Sequence, residues 1–100
     1  MKHFMNYLIV DAYFAGTGIR DEYNGKYIQP QDIGISERLT TEINIWLCLY
    51  KKESHNGYRN TVLIEKLDKE GLRIALKIKK ELRDVKISYW SDAKMEKHLL

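Results

Sequence analysis

The sequence predicts a small α/β domain, with α+β as the neighbouring possibility: a small sheet with a short hairpin, covered by two or three helices. Apolar and aromatic residues cluster near the N-terminus, as in an interior strand. Two later segments repeat apolar residues at helical spacing, and an alternating segment follows the second. With 100 residues, 44% of them hydrophobic, the chain can bury one modest core, so residues 1–100 are expected to form a single domain.

The first strand is expected within residues 3–14, "HFMNYLIVDAYF". Both alternating sets of side chains are largely apolar there, which indicates a strand covered on two faces. Asn24-Gly25 predicts a two-residue hairpin turn between "IRDEY" and "KYIQ". Pro30 then ends the hairpin and is suited to opening a helical turn.

The first long helix is expected to begin after Ser36, a favourable N-cap, and to end near residues 53–57, where Gly57 is a C-terminal signal. Its apolar positions are Ile35, Leu39, Ile43, Trp46, Leu47 and Tyr50. Residues 58–67 fit a short strand as well as a helix or loop, and we favour helix or loop.

The last long helix is expected to begin at Asp68 as its N-cap, with basic residues near its end, the polarity that the helix dipole favours. Residues 85–90, "VKISYW", alternate apolar and polar side chains and predict a half-buried strand. This strand and the first one are expected to be neighbours at the centre of the sheet. Residues 91–100 are compatible with a last helical turn capped by Ser91.

The sequence also indicates the cellular compartment in which the protein is expected. The run "YLIV" near the N-terminus is too short for a signal peptide, and no stretch approaches the roughly 20 apolar residues of a membrane span. Cys48 is the single cysteine, so no internal disulfide can form; we expect it to be a small buried hydrophobe rather than a nucleophile. These features predict a soluble cytoplasmic protein without a membrane partner.

Motifs for metals and cofactors do not occur in the sequence. The three histidines have no ligand spacing, and there is no phosphate-binding loop of the form GxxxxGK[ST]. The "GTG" of residues 16–18 precedes a hairpin, which is the wrong context for a dinucleotide site. We therefore expect no metal, no cofactor, no catalytic residues and no enzymatic activity.

Charge is unevenly distributed. The net charge is +3, but residues 1–45 hold 4 basic and 6 acidic side chains and residues 46–100 hold 13 and 8. Acidic residues interrupt the basic group of the second half, which favours the solvated face of an amphipathic helix over a nucleic-acid site. That group is Lys77, Lys79, Lys80, Arg83 and Lys86.

Two candidate sites remain. His55, Tyr58 and Arg59 could serve an RNase, but a second proton-transfer group is not visible, so a polar loop is favoured. The other candidate is an acidic and aromatic surface that would meet a basic partner such as a nuclease, although an ordinary polar surface is equally compatible. Its members are Asp21, Glu22, Tyr23, Tyr27, Asp32, Glu37 and Glu42, with Tyr13 nearby.

Three motifs in order carry a resemblance to a known group. They are a glycine turn, "GIRDEYNG" (18–25), a helix start, "DIGIS" (32–36), and a long unit, "LDKEGLRIALKIKKEL" (67–82). This order resembles small bacterial proteins encoded beside polymorphic toxins, including immunity proteins of contact-dependent growth inhibition systems. The motifs cover most of the chain from about residue 16 onward and mark a scaffold rather than a catalytic site.

The resemblance implies an immunity protein that binds the C-terminal domain of a cognate toxin, expected to be a nuclease, and does no chemistry. The seven residues of the acidic and aromatic surface are then candidate toxin contacts, and no direct binding of nucleic acid is expected. A small basic RNA-binding protein or RNase is the alternative, and an adaptor, including a homodimer, is a third hypothesis.

Overall fold

A computed structural model describes residues 7–100, which form a mixed four-stranded sheet and two long helices. In chain order the elements are β1 (Tyr7–Val10), β2 (Ile19–Asp21), a 3-10 helical turn (Pro30–Ile33), α1 (Glu37–His55), α2 (Thr61–Leu82), β3 (Lys86–Ser91) and β4 (Glu96–Leu99). The strand order is β2-β1-β3-β4; β1 and β3 are parallel, and the other neighbours are antiparallel. This is the predicted small α/β fold, with the two predicted strands paired at its centre.

The core lies between the sheet and the helices. Leu8 pairs with Ile87 and Val10 with Tyr89, so these four side chains share one face of the sheet. They join the buried stripes of both helices in a single cluster. The helical members of that cluster are Leu39, Ile43, Trp46, Tyr50, Leu67, Ile74, Ala75 and Ile78. Each large apolar side chain buried in this way stabilises the fold by roughly 1.5–3 kcal/mol.

The predicted boundaries of α1 are confirmed. The hydroxyl of Ser36 accepts a hydrogen bond from the backbone N–H of Leu39 at 3.2 Å, as an N-cap does. The carboxylate of Glu81, near the end of α2, accepts hydrogen bonds from the Ser36 N–H at 2.9 Å and hydroxyl at 2.8 Å. α1 ends at His55, two residues before Gly57, whose φ of +74° suits glycine. The start of α1 is thus fixed to the end of α2.

The predicted start of the last helix was wrong. α2 begins at Thr61 after Asn60, whose side chain accepts a hydrogen bond from the Leu63 N–H at 3.0 Å. Asp68 is the eighth residue of the helix and is only 7% exposed. Its carboxylate binds hydroxyl groups in the core rather than free backbone N–H groups. The ambiguous residues 58–67 are a loop followed by helix, as favoured.

The hairpin was predicted correctly but its turn was not. The Asp21 N–H donates to the carbonyl oxygen of Lys26 at 2.9 Å, so residues 22–25 form a four-residue loop. A two-residue turn of the predicted kind needs positive φ at both Asn24 and Gly25, and only Gly25 has it, at +75°. The second arm pairs through a single bridge, from Tyr27 to Arg20.

The first strand and the C-terminal tail both differ from the prediction. Of the first predicted strand, residues 7–10 form β1, residues 11–14 lie beyond it, and residues 3–6 lie outside the described part of the chain. The tail forms a turn and then β4 instead of a last helical turn. Ser91 is therefore not a helix cap: it is the last residue of β3, and its hydroxyl accepts a hydrogen bond from the Lys94 N–H at 3.1 Å within the turn.

Cys48 is exposed, contrary to the prediction that it is buried. α1 turns Ile43, Trp46 and Tyr50 toward the core, and Cys48 lies on the other side of the helix. Leu49 next to it is 42% exposed. The apolar neighbours of Cys48 in sequence therefore gave a misleading signal of burial.

Candidate functional site

The carboxyl ends of the two parallel strands meet at one edge of the sheet. Asp11 follows β1 there, and Asp92 follows β3. The C-terminal part of α1 lies at the same end, because the hydroxyl of Tyr50 accepts a hydrogen bond from the Ala93 N–H at 3.1 Å. Ligand sites of open α/β sheets lie outside the carboxyl ends of parallel strands, so this edge is the candidate site.

Asp11 is the buried anchor of this edge and is 2% exposed. One carboxylate oxygen accepts a hydrogen bond from Arg20 Nε at 2.9 Å, and the Tyr27 hydroxyl lies 2.8 Å from both oxygens. The Tyr13 N–H donates a hydrogen bond to Asp11 Oδ1 at 3.3 Å. Burial and the hydrogen bond to Asp11 raise the pKa of Tyr27 well above its ordinary value, so the phenol remains a donor. Asp11 therefore fixes the position of Tyr27.

An aromatic cluster, defined as Tyr13, Phe14 and Tyr27, covers Asp11. The rings of Tyr13 and Tyr27 are stacked with centroids 5.8 Å apart, and those of Tyr13 and Phe14 lie 4.9 Å apart. Tyr13 is 45% and Phe14 63% exposed. A Cβ on Gly16 would lie 2.5 Å from the Tyr27 ring, so glycine is what allows that ring to lie on the backbone. The cluster is exposed and yet held in place.

Asp92 is the titratable group of this edge. Burial, together with repulsion from Asp11, raises the pKa of Asp92 to about 6, although a hydrogen bond from Trp90 and the charge of Arg20 act in the opposite direction. Its carboxyl group can take up or release a proton near neutral pH. Within residues 7–100, however, neither Asp11 nor Asp92 is hydrogen-bonded to a Ser, Cys or His side chain that it could activate as a nucleophile.

Beneath the site lies a buried polar network around Asp68. Its carboxylate accepts hydrogen bonds from the hydroxyl groups of Tyr89 at 2.6 Å, Tyr50 at 2.9 Å and Ser91 at 2.8 Å. Burial raises the pKa of Tyr50 to about 12 and that of Tyr89 far above its ordinary value. The network was missed from sequence, although Asp68 stands next to Leu67 on the apolar stripe of α2.

The junction between α1 and α2 holds a depression of about 550 Å³. It is lined by Glu53, His55, Asn56, Gly57, Arg59 and Asn60. Two members of the predicted RNase cluster, His55 and Arg59, thus share one depression, whereas Tyr58 is half-buried with its ring edge-on to Tyr50 at 6.0 Å. Glu53 was not singled out from sequence; its spacing from Tyr50 on the buried stripe is the signal that could have found it.

The seven residues of the predicted acidic and aromatic surface do not form one uniform patch. Tyr23 on the hairpin loop is 95% exposed, but Glu22 pairs with Lys97 at 2.7 Å and Glu42 with Lys77 at 2.8 Å. The hydrogen bond from Lys77 lowers the pKa of Glu42. The others lie on the hairpin, the 3-10 helical turn and the start of α1: Asp21, Tyr27, Asp32 and Glu37.

Three of the five residues of the basic group contact local partners. Lys77 pairs with Glu42, and Lys79 Nζ donates to the carbonyl oxygen of Leu100 at 2.9 Å. The ammonium group of Lys86 lies 5.7 Å from the ring centroid of Tyr7. These contacts favour the interpretation of the C-terminal half of α2 as part of the scaffold, with a solvated face.

Within residues 7–100, no group of three or more His, Cys, Asp or Glu side chains is placed to hold a metal ion. In the same residues, no helix combines the length and hydrophobicity needed to cross a membrane. Comparisons with models of protein families, with curated proteins and with solved structures give no match.

Proposed function

We propose that this chain is an immunity protein that binds and neutralises a cognate toxin domain, expected to be a nuclease, in the bacterial cytoplasm. The observation that carries the proposal is the aromatic cluster, in which Tyr13 and Phe14 are exposed while Tyr27 is fixed from below by Asp11. Fixed, exposed aromatic side chains are typical of the energetic centre of protein interfaces. They bury a large area and lose little conformational entropy on binding.

Pre-organisation strengthens this argument. The Tyr27 hydroxyl and Arg20 satisfy the buried carboxylate of Asp11, so Tyr27, on which the Tyr13 ring stacks, is in place before a partner arrives. Binding then costs less than it would for a mobile loop, since fewer rotamers must be frozen. Covering an exposed side chain such as Phe14 contributes on the order of 1–2 kcal/mol from apolar area.

The hairpin supplies complementary charge at the rim of the proposed interface. Arg20 pairs with Tyr27 of the cluster through a β-bridge, and Asp21 and Glu22 follow Arg20 directly; Lys97 is the local partner of Glu22, which leaves Asp21 as the acid of this pair without an ion-pair partner among residues 7–100. A nuclease carries basic side chains that bind phosphate, so acidic groups beside an apolar centre would steer its approach. This use of local charge is compatible with a net charge of +3, because residues 1–45 are net acidic.

A binding role also fits the chemistry of the edge better than catalysis. Asp11 is occupied by Arg20 and Tyr27, which leaves Asp92 as a proton-transfer group without a neighbouring nucleophile in the described part of the chain. The local contacts of Lys77, Lys79 and Lys86 likewise give little support to the alternative of an RNA-binding protein.

Co-expression with the toxin domain encoded immediately upstream tests the proposal. We expect growth to be rescued and the two chains to co-purify as a stable one-to-one complex by light scattering. A non-cognate toxin domain of the same activity is the control and should not be neutralised. If the chain accumulates normally but gives neither rescue nor a complex, the proposal is wrong for that pair.

A further inference from the structure

Among residues 7–100, β4 forms an uncovered edge of the sheet. It is the last strand in the order β2-β1-β3-β4, and all four of its residues, Glu96–Leu99, are exposed. At the opposite edge, by contrast, the chain itself covers part of β2 through the bridge from Tyr27 to Arg20. An uncovered edge presents backbone N–H and C=O groups that a further strand can bind.

The register of β4 identifies the backbone groups that face outward. The Leu100 N–H donates to the carbonyl oxygen of Ile87 at 3.1 Å, so Leu100 faces β3. Hydrogen-bonded and non-hydrogen-bonded pairs alternate along an antiparallel ladder. His98 therefore faces β3 as Leu100 does, whereas the N–H and C=O groups of Lys97 and Leu99 point away from the sheet.

Lys97 does not protect this edge in the way that an edge lysine usually does. A lysine on an edge strand normally discourages pairing, because its charge must stay in water. The ammonium group of Lys97, however, lies 2.7 Å from a carboxylate oxygen of Glu22, which follows β2 at the other side of the sheet. The side chain is thus drawn over its own sheet, and its charge is matched within the chain. The edge beside it remains accessible to another strand.

We propose that β4 pairs with β4 of a second copy of this chain, antiparallel about a twofold axis at His98. In this register Lys97 lies opposite the partner's Leu99, and each such pair exchanges both of its outward backbone hydrogen bonds. An axis at Lys97 would instead place two lysines opposite each other, which is unfavourable. An axis at Leu99 would place Lys97 opposite a position beyond the partner's β4. The register at His98 therefore uses the outward groups of both residues without opposing the lysines.

The side chains on the helix-facing side of β4 complement one another in the same register. Glu96 lies diagonally across from the partner's His98, within the range at which cross-strand neighbours interact. Within one chain, Nε2 of His98 lies 3.8 Å from a Glu96 oxygen, and its ring stacks on that of Tyr89 with centroids 6.3 Å apart. The two imidazole rings thus meet at the axis with a carboxylate on either side. A second copy therefore supplies complementary side chains as well as complementary backbone groups.

A dimer of this kind leaves the aromatic cluster accessible. β4 and β2 are opposite edges of the sheet, and Tyr27 of the cluster bridges to β2. Only four residues of each chain form the paired strand, so the interface is far smaller than that of a stable dimer, and we expect a Kd on the order of 100 µM. The inference concerns the free chain and does not rest on the proposed function.

Sedimentation equilibrium between about 10 µM and about 1 mM tests the dimer, and we expect the mass to rise from monomer toward dimer over this range. Leu99→Pro removes an outward N–H at a position where an edge strand tolerates proline, so it should weaken the dimer roughly tenfold or more. Leu99→Ala, which keeps that N–H, is the matched control and should change the Kd by about threefold or less. A wild type that stays monomeric at the highest concentration, or equal losses for the two variants, would overturn the proposal.

Hydrogen exchange of the wild type tests the same pairing without any substitution. We expect the amides of Lys97 and Leu99 to exchange roughly threefold or more slowly at the high concentration than at the low one, because they are bonded only in the dimer. The His98 amide faces β3 in both states and is the internal control. Exchange of the Lys97 and Leu99 amides that does not depend on concentration would refute the dimer. A monomeric wild type whose toxin affinity falls with Leu99→Pro would assign this edge to the toxin, which overturns self-pairing and leaves the immunity proposal standing.

Discussion

The carboxylate of Asp68 on α2 accepts a 2.6 Å hydrogen bond from the hydroxyl of Tyr89 on β3. The same carboxylate binds Tyr50 on α1 and Ser91 at the end of β3. One buried side chain therefore connects both helices to a central strand, directly beneath the candidate site. Because three hydroxyl donors satisfy it, its burial is tolerated, while its removal deprives all three of this acceptor and leaves only the 3.3 Å contact between the Tyr50 and Ser91 hydroxyls.

Replacing the Asp68 carboxylate should be among the most destabilising single changes in the chain. We expect Asp68→Leu to lower the free energy of unfolding by about 3–5 kcal/mol, because buried hydroxyl groups lose their acceptor. Tyr89→Phe, which removes one hydrogen bond, should cost about 1–2 kcal/mol. Urea unfolding followed by circular dichroism measures both, and an unchanged midpoint for Asp68→Leu would contradict the network's structural role.

Gly71 should behave unlike an ordinary helix glycine. Alanine in a helix interior usually stabilises by roughly 0.5–1 kcal/mol relative to glycine. Here a Cβ would overlap the Tyr89 ring and lie 2.8 Å from the Trp46 ring, so we expect Gly71→Ala to destabilise by about 1–3 kcal/mol. Thermal unfolding measures the change, with Thr41→Ala on the exposed side of α1 as control. A higher Tm for Gly71→Ala would show that the close approach of these rings is incorrect.

The raised pKa of Asp92 predicts a pH dependence with a definite sign. The folded protein binds the proton at about pH 6, whereas an unfolded Asp titrates near its ordinary value of about 4. The folded state therefore holds more protons between these values, and this group lowers stability as pH rises from 4 to 7. Because Asp92 is only half-buried, solvent screening limits the effect to about 1 kcal/mol.

Asp92→Asn isolates that contribution. Relative to the wild type, the variant should gain up to about 1 kcal/mol at pH 7.5 and nothing at pH 4, since the wild-type carboxyl group is then protonated. Chemical denaturation at several pH values gives the difference directly. A difference between the two proteins that stays constant from pH 4 to 7.5 would contradict the shifted pKa.

The hairpin acids should act mainly on the rate of association. We expect the double change Asp21→Lys with Glu22→Lys to slow binding to a basic toxin roughly tenfold or more at low salt, and the effect to shrink at high salt, because rim charges steer encounter. Stopped-flow or surface plasmon resonance separates the two rate constants. If the dissociation rate changes instead, the hairpin lies in the centre of the interface, and if neither rate changes, the interface lies elsewhere.

Local signals predicted much of the fold from sequence. Apolar spacing and the cap at Ser36 predicted α1, and alternation predicted β3. The start of α2 was misplaced because Asp68 has the chemistry of an N-cap, and its real partners come from distant segments. β4 was missed because all four of its residues are exposed, so its sequence has no apolar alternation.

The candidate site was harder to predict than the fold. Tyr13 and Tyr27 were recognised as interface-like residues, but Asp11, which fixes them, reads from sequence only as the polar end of a strand. Its partners are brought together by the pairing of β1 with β2, which no local pattern reports. Glu53 was likewise hidden, because a polar residue at the end of a helix is normally exposed.

Isothermal titration calorimetry of the cognate toxin domain with the double variant Tyr13→Ala, Phe14→Ala tests the central claim most directly. We predict a loss of affinity of roughly 100-fold or more, because these side chains form the exposed part of the aromatic cluster. The matched control, Ile45→Ala with Leu49→Ala, removes an equally exposed apolar pair on α1 and should change affinity by about threefold or less. Wild-type affinity for the cluster variant would contradict the account, and a large loss for the α1 control would move the interface to the helix.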